Sequence, residues 1–299
     1  MLLYLLLGFM VGAAVVGAGA WWQQHRARQQ LRQLTNELDQ LCFGAFEQRF
    51  TAQPGLLGPL VASLNQLLGR LQGTVESQRR FVVQASHKLR TPLTIITGQI
   101  EVTLIKPRTV EQHEQTWRSV LQDIARLNQL SDDLLLLAQL RTAHLTPQPV
   151  ALDEVLYQAS ARLKARRPGY QVLFEFAPQL AELAGPLTVP GDADLLAQAF
   201  GHLLENGCRF SSDQQVWVLL GLSGRHATIR LQNHGRSILP QELPHLFEPF
   251  FMGENARQFP GHGLGLTLAQ RVVQLHQGSI ELDPAALVGT IVTVQLPLA

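Results

Sequence analysis

The spacing of apolar positions changes along this chain, and each change marks a different kind of element. From Leu2 to Trp22 apolar residues run almost unbroken, with Tyr4 the one ionisable side chain. About twenty helical residues rise roughly 30 Å, the thickness of the hydrocarbon core of a bilayer. Trp21 and Trp22 stand where an interfacial aromatic anchor belongs, and Arg26, Arg28 and Arg32 follow on the flank expected to face the cytoplasm. Residues 1–22 are therefore expected to form a transmembrane anchor, with Gly8 and Gly12 as a small-xxx-small pair able to pack two such helices. Ala18-Gly19-Ala20 also reads as a signal-peptide cleavage site. Against that reading, no Lys or Arg precedes the apolar run, and the run is long for a signal. With no second apolar span downstream, no extracytoplasmic domain between two spans is expected.

Residues 23–75 are mostly helical in pattern, with a connector at Thr51-Ala52-Gln53-Pro54-Gly55, where proline and glycine interrupt. Leu60, Val61, Leu64, Leu67, Leu68 and Leu71 then recur at three and four residues, as an amphipathic helix requires. Two long helical patterns follow, separated by Lys106-Pro107-Arg108. Val82, Ala85, Leu89, Ile96 and Ile100 line one side of the first. Trp117, Val120, Ile124, Leu127, Leu134 and Leu137 line the second. A short loop between long helices implies an antiparallel hairpin. Stripes this broad exceed what one hairpin can bury, so two hairpins are expected to pair into a four-helix dimer.

From about Val150 the texture becomes mixed. Strand-like runs occur at Gln171–Phe176, Gln215–Leu222, His226–Gln232, Ser279–Leu282 and Thr290–Leu296. Helical patterns at Asp153–Ala165, Asp192–Arg209 and Leu266–His276 lie between them. That alternation predicts helices layered against one sheet. The expected class is α+β and multidomain: a transmembrane helix, a helical-hairpin dimerisation domain over 76–145, and an α/β sandwich over 150–299. A length of 299 residues suits about two domains plus connecting helices. The net charge of +1 gives no field that would recruit nucleic acid. Cys42 and Cys208 lie far apart, have no metal-ligand spacing, and suit a reducing compartment.

The strongest local signal is Phe81-Val82-Val83-Gln84-Ala85-Ser86-His87-Lys88-Leu89-Arg90-Thr91-Pro92-Leu93. It resembles the phosphoacceptor box of two-component sensor histidine kinases. Gln84, His87, Lys88 and Thr91 share a polar face opposite the apolar stripe, which presents the ring to solvent. Pro92 lacks an amide hydrogen, frees the carbonyl of Lys88 and is expected to bend the helix just after His87. A neutral imidazole is a competent nucleophile near neutral pH. The resemblance implies that His87 accepts phosphate and that Thr91, one turn on, helps orient water for dephosphorylating the partner. The two helices around the connector resemble a HAMP linker in the stretch Leu60 to Leu68, and a plain helical stalk fits them as well.

Three further segments resemble the ATP-binding domain of the same family, of the GHKL type. Leu203-Leu204-Glu205-Asn206-Gly207-Cys208-Arg209-Phe210-Ser211 resembles its asparagine helix, which implies that Asn206 binds Mg²⁺ and that Arg209 meets phosphate. An amide oxygen suits this hard cation. Asn233-His234-Gly235-Arg236-Ser237-Ile238 stands in place of the turn that holds adenine, so Asn233 and Gly235 are candidate adenine contacts. Leu246 to Phe251 resembles the phenylalanine box beside the nucleotide lid, here Met252–Pro260. Gly261-His262-Gly263-Leu264-Gly265-Leu266 opens a helix directly afterwards. Glycines admit phosphate close to the backbone, and a helix N-terminus offers free amides and a positive dipole end. Gly261, Gly263, Gly265 and Leu266 are therefore expected at the phosphates, and Thr290, after Gly289, at the last nucleotide-contacting turn.

The resemblance implies ATP and Mg²⁺ as cofactors, a response regulator receiver domain as partner, and a homodimer through the hairpin. It also implies a single-pass protein of the cytoplasmic membrane, held through residues 2–22, with its kinase domains in the cytoplasm. Four positions depart from the family pattern. Lys88 replaces the acidic residue that accepts a hydrogen bond from the imidazole and acts as base, and a protonated lysine has only donors. Asn233 replaces the adenine-binding aspartate. His202 replaces a first asparagine on the Mg²⁺ side, where imidazole is a poor ligand for magnesium. Ser237 replaces a turn glycine. A weakened, phosphatase-biased or purely docking protein of the same family is thus the alternative expectation, and a gyrase-like or chaperone-like ATPase is a further one.

Overall fold

A computed structural model describes residues 49–51, 58–105, 107–140, 143, 145–182, 185–235, 237–256, 258–259, 261–283 and 289–298, with scattered residues between 8 and 36. Among the described residues no helix is long and apolar enough to cross a membrane. Most of the expected anchor and the connector at 52–55 lie outside them. The chain divides into two compact units, Met1–Val83 and Gln84–Ala299.

In the first unit, Phe50 lies against the start of helix α1, Gly58–Ile105. Asn65 clamps it at two points: the Phe50 N–H donates to Asn65 Oδ1 at 2.9 Å, and Asn65 Nδ2 donates to the Phe50 carbonyl at 3.0 Å. Phe50, Val61 and Leu68 are buried together, with Leu64 packed on them. Only one edge of the predicted apolar stripe is used, since Leu60, Leu67 and Leu71 stay exposed. The helix expected at 60–71 and the helix carrying the His87 box are one continuous element. Pro92 sits inside it without ending it.

The second unit holds the hairpin and the α/β layers. Helix α2, Val110–Gln139, opens with a capping box: Thr109 Oγ1 accepts from Gln112 N, and the Gln112 side chain accepts from Thr109 N. The layered part runs β1 (Gln148–Ala151), α3 (Leu152–Arg166), β2 (Gln171–Phe176), β3 (Thr188–Gly191), α4 (Ala193–Phe210), β4 (Ser211–Ser223), β5 (His226–Gly235), α5 (Gly265–Leu275), β6 (Ser279–Asp283) and β7 (Thr290–Pro297). The main sheet has the order β2-β4-β5-β7-β6. β2 and β4 are parallel and the other pairs antiparallel. β1 and β3 form a separate two-stranded ribbon. Period-two alternation sends Val216, Val218, Leu220, Ile229, Leu231, Val294 and Leu296 into the core, while Trp217 and Arg230 stay exposed. Leu156 and Leu163 of α3, Phe200 and Leu204 of α4, and Val272 and Val273 of α5 cover the buried face.

His276, at the end of α5, ties this layer to the start of α4. Its ring is buried. The Asp192 N–H donates to Nε2 at 2.9 Å, so Nδ1 carries the hydrogen and donates to the Val272 carbonyl at 2.8 Å. Burial pushes its pKa down, against smaller opposing effects from the Val272 carbonyl and Asp192. The unfolded chain therefore takes up this proton first, and stability is full above the ordinary histidine value of about 6.5 and falls below it. Thermal melts at pH 7.5 and pH 5.5 should show a drop that is smaller in His276→Gln. An equal drop in both proteins would contradict this role for the ring.

Candidate functional site

A cavity of about 830 Å³ opens where α4, β5, β7 and the approach to α5 converge. Asn206, Arg209, Asn233, Gly235, Gly261, Gly263, Gly265, Leu266 and Thr290 all line it. Helix α4 is fixed at its start by Asp192, whose side chain accepts from Leu195 N at 3.0 Å. It packs on β4 through Gly207, where an added Cβ would lie 2.6 Å from Val216 Cγ2. Asn233 continues the inward-facing set Ala227, Ile229 and Leu231 of β5, so strand alternation delivers a buried amide to the cavity. Thr290 is its register partner on β7. Gly289, just before Thr290, has φ +113, and a Cβ there would fall 1.8 Å from the Asn233 carbonyl oxygen. Glycine is the one residue that permits this approach.

Gly263 has φ +74, and its carbonyl accepts from Phe250 N at 2.8 Å, which binds the glycine loop to the phenylalanine segment. Thr267 Oγ1 donates to the Phe247 carbonyl at 3.0 Å and adds a second tie. Helix α5 starts without a side-chain cap. Its first amides therefore face the cavity as donors with a positive dipole end behind them.

Two expectations are modified by the side-chain pairing. Arg209, expected at phosphate, forms an ion pair with Glu205 one turn earlier. Its guanidinium still borders the cavity, since a Cβ on Gly261 would lie 3.1 Å from Nη1. Thr91 Oγ1, expected to orient water, donates to the His87 carbonyl at 3.0 Å. His87 and Thr91 are exposed on α1, and neither belongs to the cavity lining. Lys88 is half-buried, and its charge helps to lower the pKa of His262, for which burial is the main cause.

Sequence reasoning missed a further wall. Gln122, Ala125, Arg126, Gln129 and Asp133 of α2 face the cavity from the hairpin. The Arg126 backbone faces the His262 ring and favours its charged form, against the larger effect of burial. Gln129 Nε2 donates to Asp133 Oδ1 at 2.8 Å, and Arg166 Nη1 donates to Gln129 Oε1 at 3.4 Å. Asp133 Oδ1 lies 3.7 Å from Nε2 of His202, which stands one turn before Asn206. Burial pushes the Asp133 carboxyl up and the His202 ring down, each partly offset by the other. The one sequence signal for this wall was Asp132-Asp133 inside a leucine-rich run.

Two family models match the chain. Residues 77–143 match the His Kinase A (phospho-acceptor) domain, and residues 191–299 match the histidine kinase-, DNA gyrase B- and HSP90-like ATPase. The chain belongs to the two-component sensor histidine kinase family. Among its relatives, the signal transduction histidine-protein kinase BaeS of Escherichia coli (strain K12) is 30% identical over 275 residues, covering 90% of this chain and 57% of BaeS. The signal transduction histidine-protein kinase/phosphatase MprB of Mycobacterium avium (strain 104) is 32% identical over 235 residues, covering 76% of this chain and 44% of MprB. The chain spans about half the length of the curated relatives it matches. Among solved structures, histidine kinase ThkA in complex with response regulator protein TrrA shares the fold at TM-score 0.61 and 17% identity, covering 76% of this chain and 64% of that one. As a member of this family the chain carries a helical phosphoacceptor hairpin followed by an α/β ATPase domain.

The cavity fits the nucleotide that such a domain binds. Its volume lies in the range of small-molecule sites, roughly 300–1,000 Å³. It offers a buried amide on β5, free helix-end amides at α5 and a guanidinium on α4. An oxygen ligand from Asn206 suits Mg²⁺, which takes few protein ligands and completes its shell with phosphate and water.

Proposed function

We propose that this protein is the sensor kinase of a two-component system, which phosphorylates His87 from ATP and passes the phosphoryl group to an aspartate of a response regulator. The convergence of four separate motif segments on one cavity, in a chain whose hairpin exposes His87, carries this reading. Mg²⁺-ATP supplies the phosphoryl group and a counter-charge for the oxygens. Asn206 would hold the metal, Asn233 and Gly235 the adenine, and the amides from Gly263 to Leu266 the phosphates, with Arg209 and Thr290 at the rim. Phosphoryl transfer depends chiefly on positioning and charge stabilisation, which these groups provide.

One imidazole nitrogen of His87 donates its electron pair to phosphorus as the bond to the departing ADP oxygen breaks. The proton on the other nitrogen must then leave, and Lys88, with donors only, does not take it. That substitution favours a second reading within the family, a slow kinase biased towards phosphatase or docking functions. Homodimerisation is supported by Leu93, Ile95, Trp117, Leu121 and Ile124, which the single hairpin leaves exposed. The apolar run at residues 2–22 supports a single-pass anchor in the cytoplasmic membrane, with residues 23–75 as a HAMP-like linker and the kinase domains in the cytoplasm.

The test is transfer. Label from γ-labelled ATP on the full chain should move to an added receiver domain and fail to move when the receiver's aspartate is replaced by alanine. Label that stays on the chain with every receiver domain offered would contradict the relay.

A further inference from the structure

The contact between the hairpin and the ATP-binding layer buries a carboxylate that it does not neutralise. Asp133 is 8% exposed, and no other Asp or Glu is buried among the described residues. Among the described residues it receives one hydrogen bond, at 2.8 Å from Gln129 of its own helix. The nearest candidate cation, His202, stands at 3.7 Å, beyond hydrogen-bond length, and burial favours its neutral form. Glu205 adds a second negative charge nearby, and the cationic groups around the pair, Arg166 and Arg209, are engaged by Gln129 and Glu205. His262, the remaining titratable group facing Asp133, is also held towards its neutral form by burial. A carboxylate buried with one hydrogen bond and no full counter-charge disfavours the arrangement that buries it. In agreement, burial is the largest influence on the Asp133 carboxyl and raises its pKa.

This arrangement is also one that has to open. The hairpin side of the cavity is walled by α2, whereas His87 on α1 is outside the lining. On the kinase reading the nucleotide phosphate must reach an imidazole that this arrangement leaves outside the lining, so the contact of α2 with the cavity has to shift. The other contacts across the boundary favour closure: Leu140 packs on the main core, and α2 packs against α5. We propose that Asp133 is a release element, a positioning residue whose buried charge keeps the docking of the ATP-binding layer on its own hairpin weak enough to reverse. The functional part of this inference rests on the kinase reading, and the docking part does not.

The sign is the opposite of what loss of a stabilising contact would give. Asp133→Asn keeps shape and the Gln129 partner but removes the charge, and Asp133→Leu replaces it with apolar bulk. Both should tighten the docked arrangement. In the full chain, amide hydrogen exchange over residues 122–137 should slow in both variants, by roughly three- to tenfold. Labelling of His87 at saturating ATP should fall by a similar factor, because the tightened contact holds bound nucleotide away from the imidazole. Exchange that is unchanged or faster in both variants would overturn the release role, whatever the labelling does. Slower exchange with faster labelling would overturn it too, by making the docked arrangement the productive one. If no variant and no wild-type chain becomes labelled, the kinase reading fails, and slower exchange alone still supports the docking role of Asp133.

Discussion

Lys88→Glu is expected to raise the initial rate of His87 labelling by about 10²-fold, the lower end of what a general base contributes, roughly 10²–10⁴-fold. Lys88 directly follows His87 on an uninterrupted helix, so no rearrangement of the backbone is needed to put a carboxylate where the ammonium stands. A carboxylate accepts the imidazole hydrogen and stabilises the positive ring that forms during attack, whereas an ammonium repels it. The half-buried setting of Lys88 strengthens both effects relative to open solvent. The gain should appear in the rate at saturating ATP and leave nucleotide affinity near its original value, since position 88 is outside the cavity lining. A rate within twofold of wild type would show that another group takes the proton, and the charge at position 88 would then be incidental.

The strands and helices of the α/β layers were legible because their burial is one-sided. β2 and β6 start where the alternation placed them, and α4 lies within one residue of the predicted Asp192–Arg209. β1 and β3 were not foreseen. Each is four residues long and each contains a proline, Pro149 facing Pro190 across the ribbon. Proline reads as a breaker in a single sequence, although an edge position tolerates it. The helical pattern of 60–71 and that of the His87 segment, read as separate stretches, belong to one helix with Pro92 inside it.

At the site, the glycine positions carried the most information. Gly263 and Gly289 have backbone angles and clearances that exclude a side chain, so their place in the sequence directly marks a tight approach. Asn206 and Asn233 were singled out by resemblance, and the topology sets both against the cavity near the ends of α4 and β5. The pairing of Arg209 with Glu205 was readable in principle as an i,i+4 pair. The α2 wall was not. Gln129 and Asp133 lie off the apolar stripe, and only the docking of one layer on another turns that polar face inward. Local periodicity holds no record of such docking.

The second large effect is complete loss. His87→Gln removes the nucleophile while leaving an exposed position on α1, so folding and nucleotide binding should persist without any transfer of phosphate. Glutamine has no nitrogen lone pair able to attack phosphorus, and no second histidine lies in the matched phosphoacceptor box. His113, the next histidine on the hairpin, belongs to the first turn of α2 rather than to the box.

The most direct measurement is therefore the site and chemistry of labelling. The full chain, wild type and His87→Gln, is incubated with γ-labelled ATP and Mg²⁺, and bound nucleotide is measured in the same samples. A sensor kinase of this kind gives acid-labile, base-stable label on the peptide that contains His87, none in His87→Gln, and equal nucleotide binding in both. Label that persists in His87→Gln, or nucleotide binding with no label in wild type or in Lys88→Glu, would contradict it.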